Sequence, residues 1–153
     1  MVKLKRILLV EDNPNDAELT LEALAEHNLA NGVEWVHDGA EALDYLYCRG
    51  KYHGHNCNDL SVVLLDLKLP KVDGIEVLRT IKSDERLKLL PVVVLTSSRE
   101  ERDMLDTYRL GVNAYVVKPV NFHDFMDAVK ELGVFWAIVN EPPPAGARKG
   151  VKG

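Results

Sequence analysis

Short apolar runs alternate along this chain with longer stretches in which apolar residues recur every three or four positions. Runs over 6–10, 33–36, 61–65, 92–95 and 114–117 have the length of buried strands. Between them, Ala17, Leu21 and Leu24 mark the inner stripe of a first helix. Ala42, Leu43 and Leu46 do the same for a helix over 39–49, and Leu78 and Ile81 for one opening at Gly74. Leu105 and Tyr108 mark a fourth over 99–110. Phe122, Phe125, Val129, Leu132 and Trp136 stripe a last helix from about 122 to about 140. The alternation predicts an α/β fold: a five-stranded parallel sheet, flavodoxin-like, with helices on both faces.

Punctuation between the runs agrees. Asn13 offers a side-chain cap and Pro14 fits a first helical turn. Asn31-Gly32 breaks the chain before the second strand, and residues 50–59, rich in Gly, His and Asn, read as a loop. Pro142–Pro144 stop the last helix, because proline cannot donate to it. One domain over 5–140 is expected, with a mobile, basic tail over 141–153.

Composition narrows the class. With 153 residues, 46% apolar and 28% charged, the chain can bury one real core. No apolar run approaches the ~20 residues that span a bilayer, and the opening lacks a cleavage site. The expectation is a cytoplasmic protein that does not use a membrane. The net charge of −5 argues against general nucleic-acid binding. Cys48 and Cys57 are too few for a disulfide framework and fit a reducing compartment.

The chemistry lies where the strands run out. Glu11 and Asp12 follow Val10, and Asp66 follows Leu65. In an open parallel sheet those ends share one edge, where ligands bind. Three acids there repel one another unless a cation joins them. A hard cation such as Mg2+ suits oxygen ligands, and a carboxylate beside it can attack phosphorus. Thr96, Ser97 and Lys118 reach the same edge, where a hydroxyl and an ammonium can meet phosphoryl oxygens.

Five segments carry a resemblance. Val10-Glu11-Asp12-Asn13, Leu65-Asp66-Leu67-Lys68-Leu69-Pro70, Asp73-Gly74, Leu95-Thr96-Ser97 and Tyr115-Val116-Val117-Lys118-Pro119 resemble, in order and spacing, the CheY-like receiver domains of response regulators. The resemblance implies that Asp66 is phosphorylated by a histidine kinase. It implies that Asp12 and the Lys68 carbonyl bind Mg2+, with Mn2+ or Ca2+ able to substitute, and that Glu11 holds metal-bound water. Thr96 and Tyr115 match the switch pair. Lys118 matches the phosphoryl-contacting lysine, and Lys118-Pro119 a cis peptide. The Glu-Asp-Asn-Pro-Asn-Asp opening, Tyr45-Leu46 and the loop 49–59 resemble stand-alone regulators that partner cyanobacterial and other bacterial phytochrome kinases. The implied protein signals by contact and is no enzyme beyond taking up and slowly losing a phosphoryl group. Water would reach that group past Lys68 and Ser98.

Plainer readings stand beside these. One of Thr96, Ser97 and Ser98 reads as a helix cap, and Tyr115 is either a switch or a fixed strand aromatic. His53, His55 and Cys57 lack a fourth ligand at a metal spacing and read better as a polar loop. Val134, Phe135 and Ile138 fall off the core stripe; they form a homodimer surface, or the tail folds over them. A receiver-fold binding module that does not use phosphorylation is the alternative function. A phosphohydrolase would need an acid at 68, where this chain has lysine.

Overall fold

In the computed structural model, residues 6–25, 32–54, 60–97 and 114–131 are described, 129–131 by their backbone alone. Five strands form one parallel sheet: β1 (Arg6–Val10), β2 (Val33–Val36), β3 (Leu60–Asp66), β4 (Val92–Thr96) and β5 (Tyr115–Val117). Their order is β2-β1-β3-β4-β5. The described helices are α1 (Pro14–Ala25), α2 (Gly39–Leu46), α3 (Gly74–Ser83) and α4 (Phe122–Glu131). Among the described residues no helix is long and apolar enough to cross a membrane.

The middles of β1, β3 and β4 are apolar because both faces of the sheet are covered there. Ile7, Leu9, Leu64 and Leu95 point to the face packed by Ala17 and Leu24 of α1 and Phe125 of α4. Leu8, Val10, Val63 and Leu65 point to the other, packed by Ala42 and Tyr45 of α2 and Leu78 and Ile81 of α3.

Local details depart from the sequence pattern. Leu21 is only half-buried; Thr20 is buried instead, its hydroxyl satisfied by donating to the Asp16 carbonyl at 3.0 Å. The second helix stops at Leu46 and does not reach 49. Cys48 turns the chain with φ +52° and Gly50 follows with φ +61°. Cys48 is disulfide-bonded, against the expectation of reduced thiols. Residues 50–54 are anchored. The Glu41 carboxylate accepts from the Tyr52 hydroxyl at 2.7 Å and the His37 amide at 2.8 Å, and pairs with Lys51 at 2.6 Å. β3 and β4 run one residue further than predicted, so Asp66 and Thr96 lie within the ladder. β5 begins at Tyr115, not Ala114.

Several expectations fall outside the described residues: the helix over 99–110 with Leu105 and Tyr108, Ser98, His55, Cys57, Leu132, Val134, Phe135, Trp136, Ile138, the tail, and the side chain of Val129.

Candidate functional site

Strand register assembles the site. Val10 pairs with Val36 on one side and Leu65 on the other, so Glu11 and Asp66 emerge level from neighbouring strands. Asp66 pairs with Leu95, which sets Thr96 one residue beyond it. Thr96 pairs with Val117, which sets Lys118 one further still. Backbone bonds fix the rim: Glu11 N–H donates to the Val36 carbonyl at 3.1 Å, and Lys118 N–H to the Thr96 carbonyl at 2.9 Å.

The loops are held as tightly. Asn13 caps α1, its Oδ1 accepting from the amides of Asn15 at 2.8 Å and Asp16 at 3.1 Å. Asp73 caps α3 by accepting from the Ile75 amide at 3.1 Å. Gly74 follows, where a Cβ would come within 2.3 Å of the Asp66 carbonyl oxygen and 2.6 Å of Leu67 Cα. Glycine at that position lets α3 press against the strand end that bears Asp66. The Lys118-Pro119 peptide is cis.

Carboxylate oxygens of Glu11, Asp12 and Asp66 lie within 4.8 Å of one another. Glu11 is fully buried and Asp66 is 5% exposed, while Asp12 faces solvent. Burial pushes the Glu11 carboxyl up, and the neighbouring Asp66 adds to this; Lys118 opposes it. Lys118 Nζ lies 2.8 Å from Glu11 Oε1, 3.1 Å from Asp66 Oδ2 and 3.1 Å from Asp16 Oδ2. Burial by itself would lower the lysine's pKa, but Glu11 and Asp66 outweigh it, raise it and hold the ammonium charged. All of these residues line one open cleft of about 580 Å3, with Asn13, Lys68 and Ser97. The acids exceed what one lysine can neutralise, and three clustered carboxylates fit a hard divalent cation. The Lys68 amide approaches Asp66 Oδ1 at 3.5 Å.

The Thr96 hydroxyl is fully buried and has no hydrogen-bond partner among the described residues. A buried donor without an acceptor is costly, so this one suits a site that gains an oxygen during function. Tyr115 is half-buried against the α2–α3 side of the core.

The sequence did not single out Asp16. It sits in the first turn of α1, where an acid normally serves the helix dipole. Its reach to Lys118 joins distant parts of the chain, which no local pattern reveals. The indole of Trp35, donating to the Glu11 carbonyl at 2.7 Å, was missed for the same reason.

Comparisons with known proteins agree with this arrangement. The family model of the response regulator receiver domain matches residues 7–130. The probable methanogenesis regulatory protein FilR2 of Methanothrix harundinacea is 44% identical over 137 residues, 90% of this chain and 86% of that protein. Response regulator Rcp1 of Synechocystis sp. is 41% identical over 132 residues, 86% of this chain and 88% of its own. The Mn2+-bound form of Rcp1 superposes with a TM-score of 0.69 at 39% identity, covering 92% of this chain and 99% of that one. The bacteriophytochrome response regulator AtBRR superposes with a TM-score of 0.85 at 60% identity, covering 91% of this chain and 99% of that one. The sheet order, the clustered acids and these likenesses agree: the chain belongs to the receiver-domain response regulators, proteins of phosphorylation-based two-component signalling.

Proposed function

We propose that Asp66 is the phosphoryl acceptor of this response regulator and that its donor is a histidine kinase of the phytochrome type. One oxygen of Asp66 attacks phosphorus. The bond from phosphorus to the donor's imidazole nitrogen breaks, and the imidazole leaves with that electron pair. Asp12, Asp66 and the Lys68 carbonyl would hold Mg2+, with Glu11 on its water, and Mn2+ or Ca2+ could replace it; when bound, the cation would supply charge neutralisation to the phosphoryl oxygens. Lys118 donates to one such oxygen, and Thr96 turns its hydroxyl to another. Tyr115 then moves into the space Thr96 leaves, which alters the surface offered to partners.

The observation that carries this reading is the level emergence of Glu11 and Asp66, with Asp12 and Lys118 completing the cluster. The phytochrome link is supported by the likeness to the bacteriophytochrome response regulator AtBRR. A receiver served by such a kinase works in the cytoplasm, without membrane or nucleic acid. The domain spans 5–140, and the protein pairs as a homodimer. Sedimentation of Phe135→Glu beside wild type tests the dimer.

Intact-mass spectrometry after incubation with Mg2+ and acetyl phosphate tests the central reading. One added phosphoryl group on wild type and none on Asp66→Asn is the expected result. A folded wild type that takes up none overturns it and favours a phosphorylation-independent binding module.

A further inference from the structure

Three carboxylates lie within 3.1 Å of Lys118 Nζ; Asp16 and Asp66 each accept a hydrogen bond from it, and Glu11 is paired by charge. Glu11 and Asp66 are also members of the acid cluster that suits a metal. Asp16 is not, so a bound cation that drew on Glu11 and Asp66 would leave Asp16 as the remaining claim on the ammonium.

Asp16 is fixed where it stands. Its amide donates to the Asn13 cap and its carbonyl accepts from Thr20, so its backbone is tied on both sides. Its side chain is 37% exposed and lines the same cleft as Asp66. Helix-dipole stabilisation explains an acid in the first turn, but it does not require contact with Lys118. A phosphoryl group on Asp66 carries negative charge into this cleft and needs a Lys118 donor. Asp16 repels that charge and occupies that donor.

We propose that Asp16 is a positioning residue that restrains Lys118 and so holds back the phosphorylated state. The inference rests on the proposed role of Asp66. Its effect is a brake: Asp16 makes the phosphorylated form less stable than the other acids and the metal alone would leave it. A carboxylate this exposed is screened, so the effect is modest and falls with salt.

Isothermal titration of the whole chain tests it, first with Mg2+ alone and then with beryllofluoride at saturating Mg2+ as the phosphoryl mimic. Asp16→Asn is expected to bind the mimic about two- to fivefold tighter, with the gain shrinking at high salt. Its Mg2+ affinity stays equal or falls, since a nearby negative charge has gone. Merely loosening α1 would weaken both. Asp16→Glu, which keeps the charge, is expected to stay near wild type. If wild type binds the mimic and Asp16→Asn binds it equally or more weakly, the inference falls alone. A gain in Asp16→Glu equal to that of Asp16→Asn overturns it too. If wild type binds no mimic, the role of Asp66 falls, and this inference with it.

Discussion

Oε1 of Glu11 and Nζ of Lys118 lie 2.8 Å apart, the acid fully buried and the lysine side chain 15% exposed. The pair joins the end of β1 to the loop after β5, across the two strands between them. It stabilises the resting fold with the same charge that the site uses.

Removing that ammonium leaves buried acids without compensation. Lys118→Ala is expected to lose about 1–3 kcal/mol of stability without divalent metal, a loss limited because Glu11 can take up a proton. Divalent cations should bind the variant more tightly and restore most of the loss. Thermal unfolding with and without Mg2+ measures both. An unfolding midpoint equal to wild type in metal-free buffer would count against the account.

Thr96→Val replaces a buried hydroxyl that has no acceptor among the described residues with a group of similar shape. The resting protein should be unchanged or about 1 kcal/mol more stable. The response to beryllofluoride should shrink, because the variant cannot donate to the mimic. Urea unfolding and the NMR shifts of Tyr115 separate the two effects; a variant that responds fully would remove Thr96 from the switch.

Gly74→Ala puts a methyl where only 2.3 Å separates it from the Asp66 carbonyl oxygen. Backbone must give way, at a cost of about 1–3 kcal/mol. The displaced Asp66 should also accept phosphoryl groups more slowly, which acetyl phosphate kinetics would reveal. Wild-type stability in this variant would mean that α3 shifts freely.

Glu41 gives the pH dependence. Burial raises its carboxyl, but Lys51, the Tyr52 hydroxyl and the His37 amide outweigh that and bring it down to about 2. A depressed pKa stabilises the fold above the ordinary carboxylate range, and the contribution is lost as pH falls toward about 2. Glu41→Gln should therefore cost about 1 kcal/mol at neutral pH, after allowing for solvent screening. The gap between variant and wild type should narrow steadily on acidification below about pH 4.5. Urea midpoints across that range decide it: a gap independent of pH would show that the carboxylate's charge is not what holds residues 50–54.

Much of this was legible in the sequence for a physical reason. Strand ends in a parallel sheet fall on one edge, so Glu11, Asp12, Asp66, Thr96 and Lys118 could be grouped from the apolar runs before them. Side-chain reach could not be read. Asp16 looks like any first-turn acid until the fold brings Lys118 to it. The end of α2 was misjudged because the turn depends on a left-handed backbone at Cys48, a residue type that seldom adopts it. Thr20 is buried beside a half-buried Leu21 because its hydroxyl bonds within its own helix, which an apolar pattern cannot register.

The sheet order has a consequence for how motion is distributed. Asp66 ends β3, which has a strand on either side and opens to solvent only when the centre of the sheet does. Tyr115 begins β5, a three-residue strand at the sheet's margin, paired with β4 alone. Ladder amides of β3 beside Asp66 should therefore exchange more slowly than those of β5 beside Tyr115. If Asp66 is the acceptor and Tyr115 the switch, the covalent event would be recorded on a central strand and expressed through a marginal one. A small change in energy at the centre would then act on a short strand that has fewer ladder bonds to hold it.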